Sequence, residues 1–249
     1  RYWIQSADTF SLGDQLDFAV VRRQGDFFLY VNGQLQADSQ DYFYVNSQFC
    51  VNSPAIAGLD FDNGDTPLTF GAFSYNPGSI YGSFDGVIDQ IQIWNKGLSP
   101  AELNAYFSQE VEATPAPTPT PAPQLQALPG IIAQWDFDGP LGSSQKTVDS
   151  QGDNSITLFE GSDILSTQGY DGQADSAYFF NPENNSYLLT ASGPFNWSAS
   201  QDFTWSVWIK TSRTGDIPGT YMDILNKTVP YNPNDGWSLS MCMCPPDEI

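Results

Sequence analysis

The sequence predicts an all-β fold of antiparallel strands with one short helix, and three observations carry that prediction. The composition is aromatic-rich (14%) and only 15% charged, with 21 Gly and 18 Pro in 249 residues. That mix suits many strands joined by tight turns and works against long helices. Apolar residues recur at alternate positions in short runs, the period of a strand with two faces. One start signal for a helix stands out, Ser99-Pro100-Ala101-Glu102. Ser99 suits the N-cap, Pro100 the first helical position and Glu102 the far side of a capping box, so a helix is expected near Ser99–Phe107.

Taken in order, Leu16–Arg22 reads as a strand, Gln24-Gly25-Asp26 as a turn and Phe27–Val31 as a second strand. Asn32-Gly33 between apolar runs is a strong hairpin signal, and Gln34–Gln36 follows it. Asp41 to Asp65 is irregular, with Tyr42, Tyr44 and Phe49, and Pro67–Gly71 is another short strand. In the strand before the helix, Val87, Asp89, Ile91 and Ile93 alternate with Ile88, Gln90, Gln92 and Trp94. Proline then stands at every second position from Pro115 to Pro123, inside a Pro/Thr-rich linker over 113–129. Such a run favours extended polyproline II; its residues 113–123 reach roughly 34 Å. Further strands are expected in Gly130–Asp138, Gly169–Phe180, Tyr187–Leu189, Phe203–Lys210, Asp223–Lys227 and Gly236–Met241, with a turn at Asn232–Gly236. In Phe203–Lys210, Phe203, Trp205, Val207 and Ile209 share the expected core face, and Trp208 lies on the other with Thr204, Ser206 and Lys210.

Charge and residue usage narrow the function classes. There are 29 acids against 8 bases, a formal net charge of −21. Nucleic acid and anionic membrane surfaces are repelled by such a chain, whereas cations and neutral glycans are not. The absence of histidine removes Ser-His-Asp and Cys-His nucleophile schemes and the commonest metal ligand. No apolar run reaches the length of a transmembrane helix, and no secretory signal is visible. A start at Arg1 in place of Met suggests a processed product or an excised fragment. Of the three cysteines, Cys242 and Cys244 fall on one strand face, where neighbours bridge poorly. Cys50 paired with either of them is the expected disulfide, the third being free or intermolecular.

The segment Phe84-Asp-Gly-Val-Ile-Asp-Gln-Ile-Gln-Ile-Trp-Asn-Lys-Gly-Leu-Ser-Pro-Ala-Glu-Leu103 resembles the closing segment of laminin-G-like and pentraxin-like domains. Leu29-Tyr-Val-Asn-Gly33, Gly130–Asp138 and Phe203–Lys210 resemble other strands of the same superfamily. The resemblance implies an antiparallel two-sheet jelly-roll sandwich of the concanavalin A type. It also implies a permuted order, because the closing segment lies well before the middle of the chain. Residues 1–112 resemble the second half of one sandwich and 130–249 the first half. Three arrangements satisfy this: a permuted chain closed on itself, a window out of step with a tandem array, or halves completed by neighbouring copies in a head-to-tail polymer.

Candidate chemistry follows. Asp60, Asp62, Asn63 and Asp65 cluster around a glycine and offer oxygens to Ca²⁺, although a solvated turn has the same composition. In pentraxins an Asp-Asn pair in a hairpin binds calcium, and the resemblance places Asn234 and Asp235 there. The second acidic set of that family has no carboxylate to match it in Gly71–Pro77. Asp149, Asp153 and Asn154 are a further cluster of turn type. Trp208 on the more polar strand face suits a sugar platform, and Tyr75, Tyr81 and Tyr231 are further aromatics for glycan contact. Neither Asp85–Asp89 nor Trp135–Gly139, with Asp136 and Asp138 on one face, supplies the tuned carboxylate pair of a glycosidase. Asn184, Asn196 and Asn226 match the N-glycosylation pattern. The expectation is a non-catalytic extracellular structural or adhesive module, a repeat unit of a surface fibre that binds copies of itself. The alternative is a glycan-binding, lectin-like module that uses Ca²⁺.

Overall fold

The structure, a computed structural model, describes residues 10, 11, 13–38, 43–45, 48–50, 64, 66–76, 79–111, 128–138, 156–158, 164–184, 186–190, 195–198, 200–212, 221–229 and 232–242. Its first strands are β1 (Gln15–Arg23), β2 (Asp26–Val31), β3 (Gln34–Asp38), β4 (Phe43–Val45) and β5 (Gln48–Cys50). They are followed by β6 (Thr69–Phe70), β7 (Phe73–Asn76), β8 (Ser79–Tyr81), β9 (Gly86–Trp94) and helix α1 (Pro100–Val111). The second block supplies β10 (Ile131–Trp135), β11 (Ile156–Leu158), β12 (Leu165–Thr167) and β13 (Ala177–Phe180). It ends with β14 (Leu188–Thr190), β15 (Phe203–Thr211), β16 (Tyr221–Val229) and β17 (Asn232–Cys242).

These strands make an all-β, two-sheet antiparallel sandwich. The larger sheet has eight strands in the order β12-β13-β9-β15-β1-β2-β3, with β10 also on β9. The smaller has five, β11-β14-β6-β16-β17. Strands of the two sequence blocks interleave in both sheets. One edge of β9 is shared by β13, through Gly86–Ile88, and β10, through Ile91–Trp94. Its other edge takes β15, which in turn pairs with β1. In the smaller sheet β6 lies between β14 and β16.

Between the sheets lies a mixed aromatic and aliphatic core. Phe203, Trp205, Val207 and Ile209 of β15 all face it, as their alternation requires. Trp205 stacks on Trp237 of the opposing sheet at 5.1 Å between ring centroids, and Phe70 meets Trp135 edge-on at 5.3 Å. A second apolar cluster fills the space under α1, where Leu98, Leu103, Tyr106 and Phe107 cover Ala19, Val21, Tyr30 and Trp94. The expected capping box is formed: Ser99 N and Oγ donate to Glu102 Oε2 at 2.8 Å, and Glu102 N returns to Ser99 Oγ at 3.3 Å. Lys96 Nζ reaches the other carboxylate oxygen at 2.6 Å. The helix continues to Val111, one turn beyond the span its start signal suggested.

Two local expectations are corrected. Strict alternation along β9 fails, because Ile88, Ile91 and Ile93 face the main core together while Val87 joins Trp208 on the other side. The cause is a β-bulge: Ser206 pairs with Gln92 but Trp208 with Asp89, leaving one extra residue in β9. Gln90 absorbs it with φ of 43°, and the side-chain sequence changes face there. Likewise β17 begins at Asn232, ahead of the strand start expected at Gly236, and the expected turn is a register jump within it: Val229 pairs with Asn232 and Thr228 with Gly236, so the residues between leave the ladder.

Candidate functional site

The bulge sits where β10 gives way to β13 along the edge of β9, and it gathers the most unusual polar groups of the described residues. Asp89 is 1% exposed and is the one charged residue of β9. Its Oδ1 accepts Gln90 N at 2.7 Å, the amide of the bulged residue itself. Its Oδ2 accepts Tyr170 N at 3.1 Å from the loop that precedes β13. Gln90 Nε2 donates to the Tyr170 hydroxyl at 3.1 Å, so one bulge holds both backbone and side chain of Tyr170.

The loop over 168–176 is built to be gripped. Gly169 N donates to Ser176 Oγ at 3.0 Å, and that hydroxyl donates to Gln173 O at 2.9 Å. Asp171 Oδ1 accepts Gln173 N at 2.8 Å and closes the turn. No side chain fits at Gly169: a Cβ would lie 2.4 Å from Ser176 Oγ and 2.5 Å from Asp89 Oδ2. Glycine is required there by the approach of the buried carboxyl.

Asp136 and Asp138 come from the residues after β10. Between them Phe137 turns into the core with φ of 53° and is fully buried. Gln134 Nε2 donates to Asp136 Oδ1 at 2.5 Å, and Asp138 is exposed. Burial pushes the Asp89 carboxyl well above the ordinary carboxylate range, against the two N–H donors that lower it; the charges of Asp171 and Asp138 add to the rise. Asp138 is also raised, first by desolvation and then by Asp136 and Asp171. The carboxyls of Asp89 and Asp138 thus both lie within the influence of neighbouring acids at one end of the bulge.

This arrangement is a clamp. Both oxygens of Asp89 are taken by backbone amides, which leaves it to fix the loop and the bulge. Among the described residues no three Asp, Glu or Cys side chains are grouped to hold a metal ion. The calcium candidates Asp60, Asp62, Asn63 and Asp65, and Asp149, Asp153 and Asn154, lie outside the described residues. Asn234 and Asp235 lie in β17, their side chains outside the described set.

The glycan candidates fare differently from one another. Trp208 is 4% exposed and lies against Tyr170, ring centroids 6.0 Å apart, with Val87 and Ala177 beside it. Its face is covered, because the clamped loop that Asp89 holds brings Tyr170 over it. As a platform open to sugar it is corrected to a buried packing residue. Tyr75 and Tyr81 are in β7 and β8 with side chains outside the described set, and Tyr231 lies outside it entirely. The same is true of the side chains of Cys50 and Cys242 and of the whole of Cys244.

Two of the three glycosylation matches are engaged in the fold. Asn226 is 5% exposed in β16. Asn196 donates to Gly64 O at 2.8 Å and accepts fully buried Lys227 Nζ at 2.7 Å. Sequence reasoning missed both the Lys227–Asn196 pair and the Asp89–Tyr170 link. The signal available was a charged residue within a strand, Asp89 in β9 and Lys227 in β16; the partners, distant in sequence, left none. Comparison of the chain with family models, with curated proteins and with solved structures finds no match to any of them.

Proposed function

We propose that this chain is a non-catalytic extracellular structural or adhesive module, a repeat unit of a surface fibre whose copies assemble head-to-tail by completing one another's sandwich. The observation that carries the reading is the interleaving of the two blocks. β9 takes all its neighbours from the second block, and β1 and β6 are each paired with strands of that block. The same pairings serve when the blocks belong to one chain, as in this structure, or to successive copies. The laminin-G-like resemblance, the acidity and the Pro/Thr-rich spacer fit an extracellular repeat. The clamp at Asp89 supports a scaffold role, since its carboxyl is spent on backbone amides. Burial of Trp208 weighs against the glycan-binding alternative.

The test is refolding of the purified chain from denaturant over a range of concentration, followed by light scattering and electron microscopy. Filaments of regular repeat are expected. A chain that stays monomeric throughout, and that binds defined glycans on an array, overturns the fibre in favour of the lectin.

A further inference from the structure

The partner in any such assembly is a second copy of this chain, and the seam at which it enters is legible in the pairing. The seam passes along both edges of β9, between β1 and β15, and on both sides of β6. It is not a surface. Its strands carry the buried Ile88, Ile91, Ile93, Trp205 and Phe70 of the main core. By contrast, the cluster under α1 draws nearly all its members from the first block, with only Leu128 at the end of the linker and Ile131 of β10 packed against it from outside. The spacer, with proline at alternate positions from Pro115 to Pro123, is the covalent connection between the blocks in both arrangements.

We infer that two copies of this chain exchange whole blocks along this seam, and that the choice between closed and exchanged forms is made during folding. The partner sits in the core, so a folded molecule has no free edge at the seam for a newcomer. Exchange after folding requires the core to open. This rests on the fibre reading only in supplying its joint, and it stands if exchange stops at a closed dimer.

Gln15 and Lys210 are exposed partners across the β1–β15 pair, a site where cysteines come within disulfide reach without touching the core. Full-length Gln15→Cys and Lys210→Cys chains are mixed in denaturant, refolded together at high concentration and oxidised. Separately folded chains are mixed and oxidised in parallel. The expected result is an interchain 15–210 disulfide, located by mass spectrometry, in the co-refolded sample and its loss from the sample mixed after folding. The double variant, refolded dilute, forms the link within one chain and shows that the site is competent. An intrachain link in the double variant with no interchain link from co-refolding overturns the exchange. Equal interchain yield in both mixtures overturns its restriction to folding. Filaments lacking the 15–210 link overturn sandwich completion as the joint of the fibre, whereas linked dimers that add no further copies leave exchange standing without the fibre.

Discussion

Asp89 shows how one side chain can organise a region. Its two oxygens receive amides from its own bulge, at Gln90, and from the loop beside β13, at Tyr170, 81 residues further along than Asp89 itself. Asn in its place keeps one acceptor and turns an NH₂ toward a buried N–H. Asp89→Asn is therefore expected to lower stability by about 1–3 kcal/mol, read as a drop in the denaturant midpoint at unchanged slope. Its pH dependence has a definite sign. The folded-state pKa is raised, so the stability tied to the neutral carboxyl is complete below 3.8 and is lost as pH rises through the folded value. Melting temperatures taken upward from pH 4 should fall more for the parent than for Asp89→Asn. Glu102 works the other way. Its hydrogen bond from Lys96, then those from Ser99, lower its pKa from 4.5 to about 2. That contribution is present above 4.5 and disappears as pH falls through about 2. Removing the cap by Ser99→Ala should cost about 1 kcal/mol. The capping box was legible because all its members lie within four residues. The Asp89 clamp was legible only by half, as an acid within a strand, because its second partner is brought by the fold.

At the scale of elements, β9 decides the geometry of the larger sheet. Alternation in its sequence identified it as a strand but misassigned its faces, since a single inserted residue at Gln90 reverses the pattern from there on. No local signal marks the bulge: Gln is an ordinary strand-exterior residue, and its positive φ is imposed by the change of neighbour from β13 to β10. β15, with no such insertion, had its core face read correctly. A different constraint joins the two sheets at Gly71. It has φ of 78°, and a Cβ there would lie 2.3 Å from the ring of fully buried Phe180. Gly71→Ala combines left-handed backbone with overpacking and is expected to destabilise by about 2–4 kcal/mol, measurable by chemical denaturation.

For the whole molecule, interleaving means that neither block has a core of its own between the sheets. Unfolding is expected to be one cooperative event. Tryptophan fluorescence, reporting on Trp94 in the first block and Trp197, Trp205 and Trp237 in the second, should change at the same denaturant concentration as far-ultraviolet circular dichroism. Two separated transitions would contradict a shared core. With a net charge of −21, exchange between copies is opposed by like charge, so the interchain product of co-refolding should increase with salt. The all-β class was legible from periodicity and turn residues, and the two-sheet arrangement only as what the resemblance implies. The partnership of strands was visible only as a resemblance whose order was permuted, because pairing between residues so far apart leaves no local trace.

The position of β9 among later-arriving neighbours also sets a schedule for biosynthesis. All its strand partners, β10, β13 and β15, lie downstream of it. At ribosomal speeds of about 5–20 residues per second, the stretch from Trp94 to Thr211 takes roughly 6–23 s to make. Through that interval a strand rich in isoleucine waits with both edges open to the wrong partner.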